Sequence, residues 1–406
     1  MRLFRLAAVV VTLAGLGVVT RPYVHGLSFV IRAADMQGTI RRMADIDTKA
    51  IREREVAIPT PRGSMRARAY EPVTHATRTS LLVSGLHVSG IDEPRLVRLA
   101  RQLASNGLTI VTPDVPELSR FEINAHITDA IERAAVWLSA ESGLASDRRV
   151  GLMGISFSGG LSIVAAGRPS LTDRVSYVFA FGGHDDLPRV LRYLCTGQEP
   201  YPPGQVRLKA AATSAQTGVR ADTSAEPFTR PPHDYGVAVI LLGVADRVVP
   251  AAQAEPLRAA VRRYLWASAL DGGVDKSRAP AEFAAVRALI PTLPEPSRTL
   301  LKYVTERDVV HLGARLLPFV NLYGSDPALS VSKSPKPAVP IFLLHGAEDN
   351  VIPPIESEYL ANDLRDHGGP VRLLVSGLIS HAEADRPVKT GDVMQLAGFW
   401  GDLLSR

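Results

Sequence analysis

Only one cysteine, Cys195, occurs in the 406-residue sequence. A single thiol excludes an internal disulfide, a catalytic thiol pair and a zinc site built from several cysteines. Histidine and aspartate cluster only at residues 183–186 (GHDD), and no H-E-x-x-H motif occurs, so we expect no bound metal. The G-x-x-x-x-G-K-[ST] and strand-linked G-x-G-x-x-G motifs are missing as well, so we expect no nucleotide or other cofactor.

Long runs of like charge are also missing, although the net charge is +5 and the isoelectric point is near 9.4. The arginines are scattered among acidic residues, a distribution that does not favour a nucleic-acid partner. Apolar residues, in contrast, are abundant. They make up 46% of the chain, enough for a substantial core in one large domain with an insertion or in two domains.

The N-terminus contains an uncharged apolar run, Leu6–Thr20, with Arg2 and Arg5 before it and Arg21 after it. The run is shorter than the ~20 residues that span a bilayer, and no A-x-A-like cleavage site follows it. We therefore expect an uncleaved segment that associates with the membrane or directs export. Positive charge ahead of the run favours an extracytoplasmic body, while Arg21 weakens that bias.

The residues that follow this run extend the expected membrane association to position 31. Tyr23, Leu27, Val30 and Ile31 are spaced to form one apolar stripe of a helix. The alternative is a helix packed on the protein's own surface. We assign residues 1–50 to this N-terminal segment.

From Glu53 onward, short apolar runs alternate with helical patterns and turn residues. The predicted elements are a hairpin at Val56–Pro72, a strand at Ser80–Gly85, a helix at Pro94–Asn106, a strand at Leu108–Asp114, a helix at Ile123–Ser139, and strands at Arg149–Gly154 and Val175–Gly183. Strand–helix alternation of this kind predicts an α/β fold with a mostly parallel, doubly wound sheet covered on both faces. We assign residues 51–186 to the first part of this core.

Residues 187–336 interrupt the alternation with proline and helical periodicity, and we expect them to form a helical cap inserted into the core. The core pattern resumes at 337–406. Its predicted elements are a strand at Val339–Gly346, a helix near Glu356–Asp366, a strand at Val371–Gly377 and a final helix at Val393–Leu404.

The stretch GISFSGG, residues 154–160, contains two serines in a strand–turn–helix context. Gly154 ends the strand, so Ser156 is expected on the sharp turn and Ser158 in the first turn of the helix. A serine in this position can act as a nucleophile if a base lies within hydrogen-bond reach and a third group orients that base. Suitable residues follow the later strands, because Asp349 comes three residues after Gly346 and His381 follows the strand that ends at Gly377.

With these three residues the chain resembles the α/β-hydrolase superfamily, in which nucleophile, acid and histidine follow in that order. The resemblance covers about Val56–Gly183 and Val339–Arg406, and HGAEDNVIP (345–353) has the form typical of the acid loop. Ser158 departs from the G-x-S-x-G pattern, which has glycine at that position.

The resemblance implies a catalytic triad of Ser156, Asp349 and His381. It implies an oxyanion hole formed by the backbone N–H groups of Phe157 and Leu86. His87, just beyond that loop, either lines the acyl pocket or is a surface histidine. His184, at the end of a predicted strand, is a further pocket candidate.

Three other aspartates are alternatives to Asp349 as the acid of the triad. LLGVADRVVP (241–250) imitates the acid loop and makes Asp246 a candidate, disfavoured because it lies within the insertion. Some superfamily members take the acid from the preceding strand, which would select Asp185 or Asp186.

We therefore expect a serine hydrolase that cleaves a small carboxylic ester with an apolar group. Two alternatives remain: an acyltransferase or amidase with the same triad, and an inactive, membrane-tethered scaffold with this fold.

Overall fold

The computed structural model describes the chain from residue 22 to residue 406, apart from positions 47, 62, 75, 77, 200–227, 274–275 and 380–389. Both His381 and the apolar run Leu6–Thr20 lie outside the described residues. The predictions made for them therefore stay predictions.

An eight-stranded sheet forms the centre of the described structure. Its strands are β1 (Ile51–Thr60), β2 (Gly63–Pro72), β3 (Arg78–Val83), β4 (Leu108–Pro113), β5 (Val150–Ile155), β6 (Val175–Phe181), β9 (Ile341–Gly346) and β10 (Val371–Ser376). Their order across the sheet is β1-β2-β4-β3-β5-β6-β9-β10. The six strands from β4 to β10 pair in parallel, while β1 and β2 form an antiparallel hairpin whose second strand pairs antiparallel with β4. The predicted mostly parallel sheet is confirmed.

Helices cover both faces of this sheet. They are α3 (Pro94–Ser105), α4 (Pro116–Ser119), α5 (His126–Ala140), α6 (Phe157–Ala166), α14 (Ile355–Asp366) and α15 (Thr390–Leu404). Successive side chains of a strand point to opposite faces. In β6, accordingly, Val178 joins the core under α5, α6 and α14, whereas Phe179 joins the core under α3 and α15. The inner strands β3, β4, β5, β6 and β9 are buried along almost their whole length, which explains their uninterrupted apolar runs.

The insertion between β6 and β9 is helical in its described part. Its helices are α7 (Leu187–Thr196), α8 (Asp234–Val248), α9 (Ala251–Asp271), α10 (Ala279–Leu289), α11 (Ser297–Thr305), α12 (Val309–Leu316) and α13 (Val320–Tyr323). A two-residue pair of strands, β7 (Gln198–Glu199) and β8 (Phe228–Thr229), lies between α7 and α8. Buried residues such as Leu257 and Leu301 extend the α5–α6 side of the core into the insertion.

Two short helices lie at the N-terminal end of the described chain. Residues 22–33 form helix α1, and α2 follows at Thr39–Asp45. Phe29 of α1 is fully buried with its ring 4.2 Å from that of Trp400, and Val30 and Ile31 are also buried. The predicted stripe therefore faces the protein at Val30 and Ile31, as the alternative interpretation of this helix expected, while Tyr23 is half exposed.

Helices α1 and α15 approach closely through glycine. A Cβ atom on Gly26 would overlap the carbonyl oxygen of Ala397, and one on Gly401 would overlap the carbonyl oxygen of Pro22. Only glycine at these two positions permits the backbones of α1 and α15 to approach this closely. Within the part of the chain that the structure describes, no helix is both long enough and apolar enough to cross a bilayer.

We predict that Gly401→Ala lowers the free energy of unfolding by about 1–3 kcal/mol, because the added methyl group overpacks the contact between α1 and α15. The matched control is Gly391→Ala in the same helix, where a Cβ atom meets nothing within 4 Å. It should leave stability unchanged or raise it by at most about 1 kcal/mol. Urea denaturation of both variants checks this, and equal stabilities would contradict the packing described.

Candidate active site

Ser156 occupies a sharp turn between β5 and α6. Its backbone has φ 56° and ψ −127°, a conformation that residues with a side chain rarely adopt. The turn is held by a hydrogen bond from the Ser156 N–H to the carbonyl oxygen of Phe181, 2.6 Å. The strained turn places the serine at the carboxyl edge of the parallel strands, as the sequence predicted.

Small residues around the turn let its backbone segments meet. A Cβ atom on Gly154 would overlap the carbonyl oxygen of Ser158, and one on Gly159 would come within 3.2 Å of the Ala180 side chain. Strand β5 and helix α6 could not pack at this distance with larger residues there.

Ser158 has a role that its size alone does not explain. Its buried hydroxyl accepts a hydrogen bond from the Ile155 N–H at 3.0 Å. The same hydroxyl lies 3.1 Å from the carbonyl oxygen of Val83 and 2.9 Å from that of Ile155, and it can donate to either. Ser158 therefore ties the end of β5 to the end of β3, a contact that glycine could not make.

The loop after β3 runs directly against the serine. A Cβ atom on Gly85 would lie 3.3 Å from the Cβ atom of Ser156. The next residue, Leu86, is half-buried, and Phe157 is the first residue of α6, where backbone N–H groups lack partners within the helix. Of the residues proposed for the oxyanion hole, Phe157 thus directly follows Ser156, and Leu86 directly follows the glycine that lies against it.

Asp349 lies in the loop after β9 and is buried. Its Oδ1 accepts hydrogen bonds from the N–H groups of Val351 and Ile352, 2.8 and 3.0 Å. Gly182, which has φ +67°, separates the carboxylate from the serine: a Cβ atom there would lie 3.5 Å from Asp349 Oδ2 and 3.8 Å from Ser156 Cα. The structure brings Ser156 and Asp349 to the same place at the edge of the sheet.

The insertion holds the acid loop from the other side. The Tyr193 hydroxyl and the His233 N–H both donate to the carbonyl oxygen of Asn350, at 3.3 and 2.9 Å. Arg230, paired with the buried Glu199 at 2.6 Å, also donates to the carbonyl oxygen of Ala347 at 3.3 Å. Sequence patterns did not single out Tyr193 or Arg230, because nothing in the local sequence indicates a partner more than 100 positions away.

The predicted base, His381, lies outside the described residues. Strand β10 pairs in parallel with β9, with Ser376 opposite Gly346. The chain therefore leaves β10 at the edge where Asp349 lies, and His381 follows five residues later.

The rival acids have other partners. Asp185 pairs with Arg189 at 3.1 Å, and Asp186 accepts the Arg189 N–H at 2.9 Å, which caps α7. Asp246 lies on the exposed side of α8 and pairs with Arg258 at 2.6 Å. Most of the segment 241–250, whose sequence imitates the acid loop, belongs to helix α8 and does not form a loop.

Two further histidines were pocket candidates. His87 is half-buried, and its Nδ1 accepts the Ser89 N–H at 3.2 Å; burial lowers its pKa. His184 is fully buried and stacks on Phe157 with ring centroids 5.0 Å apart. Its Nε2 donates to the carbonyl oxygen of Leu329 at 2.8 Å, and burial lowers its pKa, so His184 packs as a neutral ring behind the turn.

A buried cluster of charges lies beside these groups. Glu356, fully buried in the first turn of α14, accepts the N–H groups of Asp185 and Asp186 at 3.1 and 3.2 Å. Its other oxygen pairs with Arg189 at 2.5 Å. Asp185 and Glu356 thus share one guanidinium, and burial raises the pKa of Asp185 to about 6 despite that pairing.

We predict that this cluster makes stability depend on pH. Because the pKa of Asp185 is raised in the folded state, its proton stabilises the fold below the ordinary value near 3.8, and this stabilisation is lost as pH rises through about 6. The full effect is on the order of 3 kcal/mol, from 1.36 kcal/mol per pKa unit. Asp185→Asn, which cannot ionise, should gain stability relative to the wild type by up to this amount between pH 4 and pH 8.

Chemical denaturation at each pH unit measures the difference. The control is Asp246→Asn, which removes an exposed, paired carboxylate of little energetic weight. Parallel curves for the wild type and Asp185→Asn would contradict the prediction.

No family model and no curated protein matches the chain. Solved structures that it is similar to include an esterase of Pyrobaculum calidifontis, with 15% identity over 95% of this chain and 92% of that one and a TM-score of 0.43. Brefeldin A esterase, described as a bacterial homologue of human hormone-sensitive lipase, has 13% identity over 94% and 86%, with a TM-score of 0.45. An acylaminoacyl peptidase of Pyrococcus horikoshii has 12% identity over 88% and 41%, with a TM-score of 0.42.

The mostly parallel sheet, the strained serine on the turn after β5 and the buried aspartate after β9 give this chain the fold of the α/β-hydrolase superfamily.

Proposed function

We propose that this chain is a serine hydrolase that cleaves a carboxylic ester through an acyl-enzyme. The observation that carries the proposal is the strained Ser156 at the strand edge with the buried carboxylate of Asp349 across Gly182. A serine hydroxyl needs a base, and His381, which follows β10 by five residues in the sequence, is the residue we assign to that role.

In this proposal the His381 imidazole removes the proton of the Ser156 hydroxyl as its oxygen attacks the ester carbonyl. The negative charge that develops on the carbonyl oxygen is stabilised by the N–H groups of Phe157 and Leu86, each of which can contribute about 3 kcal/mol. Asp349 orients the imidazole and stabilises its protonated form. Protonated His381 then donates to the leaving alcohol, and water, activated by the same imidazole, releases the acid.

The helical insertion acts as a cap in this proposal. Its Tyr193, Arg230 and His233 contact the acid loop, so the insertion reaches the edge of the sheet where the substrate would bind. The apolar helices of the insertion favour an ester with an apolar acyl or alcohol group. No cofactor or metal is needed for this chemistry.

We predict that Ser156→Ala reduces hydrolysis of short p-nitrophenyl esters by about 10³-fold or more, because the nucleophile is lost. A fluorophosphonate probe should label the wild type at Ser156 and leave the variant unlabelled. The matched control is Ser162→Ala in α6, the helix that follows the turn. Its hydroxyl is buried without a partner among the described residues, and the variant should keep its activity and labelling.

Full activity of Ser156→Ala would overturn the proposal. Folded wild-type protein without labelling or activity would favour an inactive scaffold. Products that carry an added acceptor alcohol in place of water would favour an acyltransferase, and selective cleavage of amides would favour an amidase.

For localisation, we propose that Leu6–Thr20 attaches the protein to a membrane, with the body outside the cytoplasm. Because α1 packs on α15, removal of residues 2–20 should leave the fold and the esterase activity intact. We predict that the full chain floats with phospholipid vesicles in a density gradient and that the shortened chain stays with the soluble fraction. Equal flotation of both would contradict the proposed role of this run.

A further inference from the structure

His345 is the second-last residue of strand β9. It is fully buried and makes three close contacts. Its Nε2 lies 2.8 Å from the carbonyl oxygen of Ile352, and its Nδ1 lies 2.6 Å from the hydroxyl of Ser357. The same Nε2 is 3.4 Å from Asp349 Oδ2. One ring therefore contacts the strand end, the acid loop and the first turn of α14.

The partners determine which nitrogen carries the proton. The Ile352 carbonyl can only accept, so Nε2 is the donor. Nδ1 lies 2.6 Å from the Ser357 hydroxyl and can accept a hydrogen bond from it. The Nε2–H is thereby directed at the acid loop.

We infer that His345 is a positioning residue for Asp349, an inference that depends on the proposed function. Ile352 connects the two: its carbonyl accepts from His345, while its N–H donates to Asp349 Oδ1. The Ile352 carbonyl and N–H lie on either side of the same Cα atom, so a hydrogen bond that holds the carbonyl also restrains the N–H, one of the two that orient the carboxylate. The other carboxylate oxygen lies toward both Gly182 and the Nε2 of His345.

Ser357 extends this support to the rest of the fold. It neighbours Glu356, whose carboxylate binds the N–H groups of Asp185 and Asp186 after β6. The first turn of α14 is therefore anchored to the strand next to β9 in the sheet. A rigid anchor of this kind matters because displacement of a catalytic group by about 1 Å can cost 10²-fold in rate.

The test compares His345→Phe, which removes both hydrogen bonds, with His345→Gln, whose amide N–H can still reach the Ile352 carbonyl. We expect kcat for p-nitrophenyl esters to fall about 10- to 100-fold in His345→Phe with KM nearly unchanged, and to recover largely in His345→Gln. A misplaced carboxylate stabilises the protonated base less, so the acidic limb of the kcat/KM profile should move to lower pH in His345→Phe.

If His345→Phe fails to fold, Ser357→Ala provides a second test of the same inference. It frees Nδ1 and should lower kcat about 3- to 10-fold, again with little change in KM. The matched control is His367→Phe at the end of α14, where an exposed histidine bonds only its own helix turn among the described contacts, and it should behave like the wild type.

The outcomes distinguish a failure of the proposed function from a failure of the positioning role inferred for His345. If the wild type is not labelled by fluorophosphonate at Ser156, the proposed function fails and this inference fails with it. If labelling succeeds but Ser357→Ala and the folded His345 variants keep wild-type kcat and pH profile, only the inference is overturned. A lower melting temperature with unchanged kinetics would assign His345 a purely structural role and would also overturn it.

Discussion

The positive φ of Ser156 is the constraint on which the surrounding structure depends. A residue with a side chain keeps this conformation only when its neighbours leave no alternative. Here the Phe181 carbonyl holds the serine N–H, and Gly154 lets β5 and α6 approach each other. The hydroxyl of Ser158 accepts a hydrogen bond from the Ile155 N–H and so stabilises the turn. Each of these contacts comes from a different strand or helix, so the turn exists only in the folded sheet.

The acid loop is constrained by a different physical means. Its backbone has no regular structure, so polar groups from outside the loop must bond its carbonyls and N–H groups. His345 does so from the strand, and Tyr193, His233 and Arg230 do so from the insertion. Buried polar contacts of this kind are directional, and they fix a geometry more closely than apolar packing does. The insertion is therefore part of the support of the acid loop.

Much of the fold follows from local patterns in the sequence. The buried strands appear as continuous apolar runs, and the turn at Ser156 and the helical nature of the insertion were both predictable from periodicity and turn residues. What the patterns do not contain is the partner of each polar side chain. The pairing of Arg189 with Glu356 joins positions 167 residues apart, and no local feature indicates it. The same holds for α1, whose apolar face was predicted with a membrane as the first interpretation and the protein's own surface as the alternative. An apolar stripe shows that a helix is buried on one side but does not identify the surface that buries it.

The glycine contact between α1 and α15 joins the first and the last of the described helices. Gly26 and Gly401 lie on different helices but permit the same close approach, so a larger side chain at either position would push the two helices apart. The two ends of the described chain are therefore restrained together, and a change in one of them alters the packing of the other.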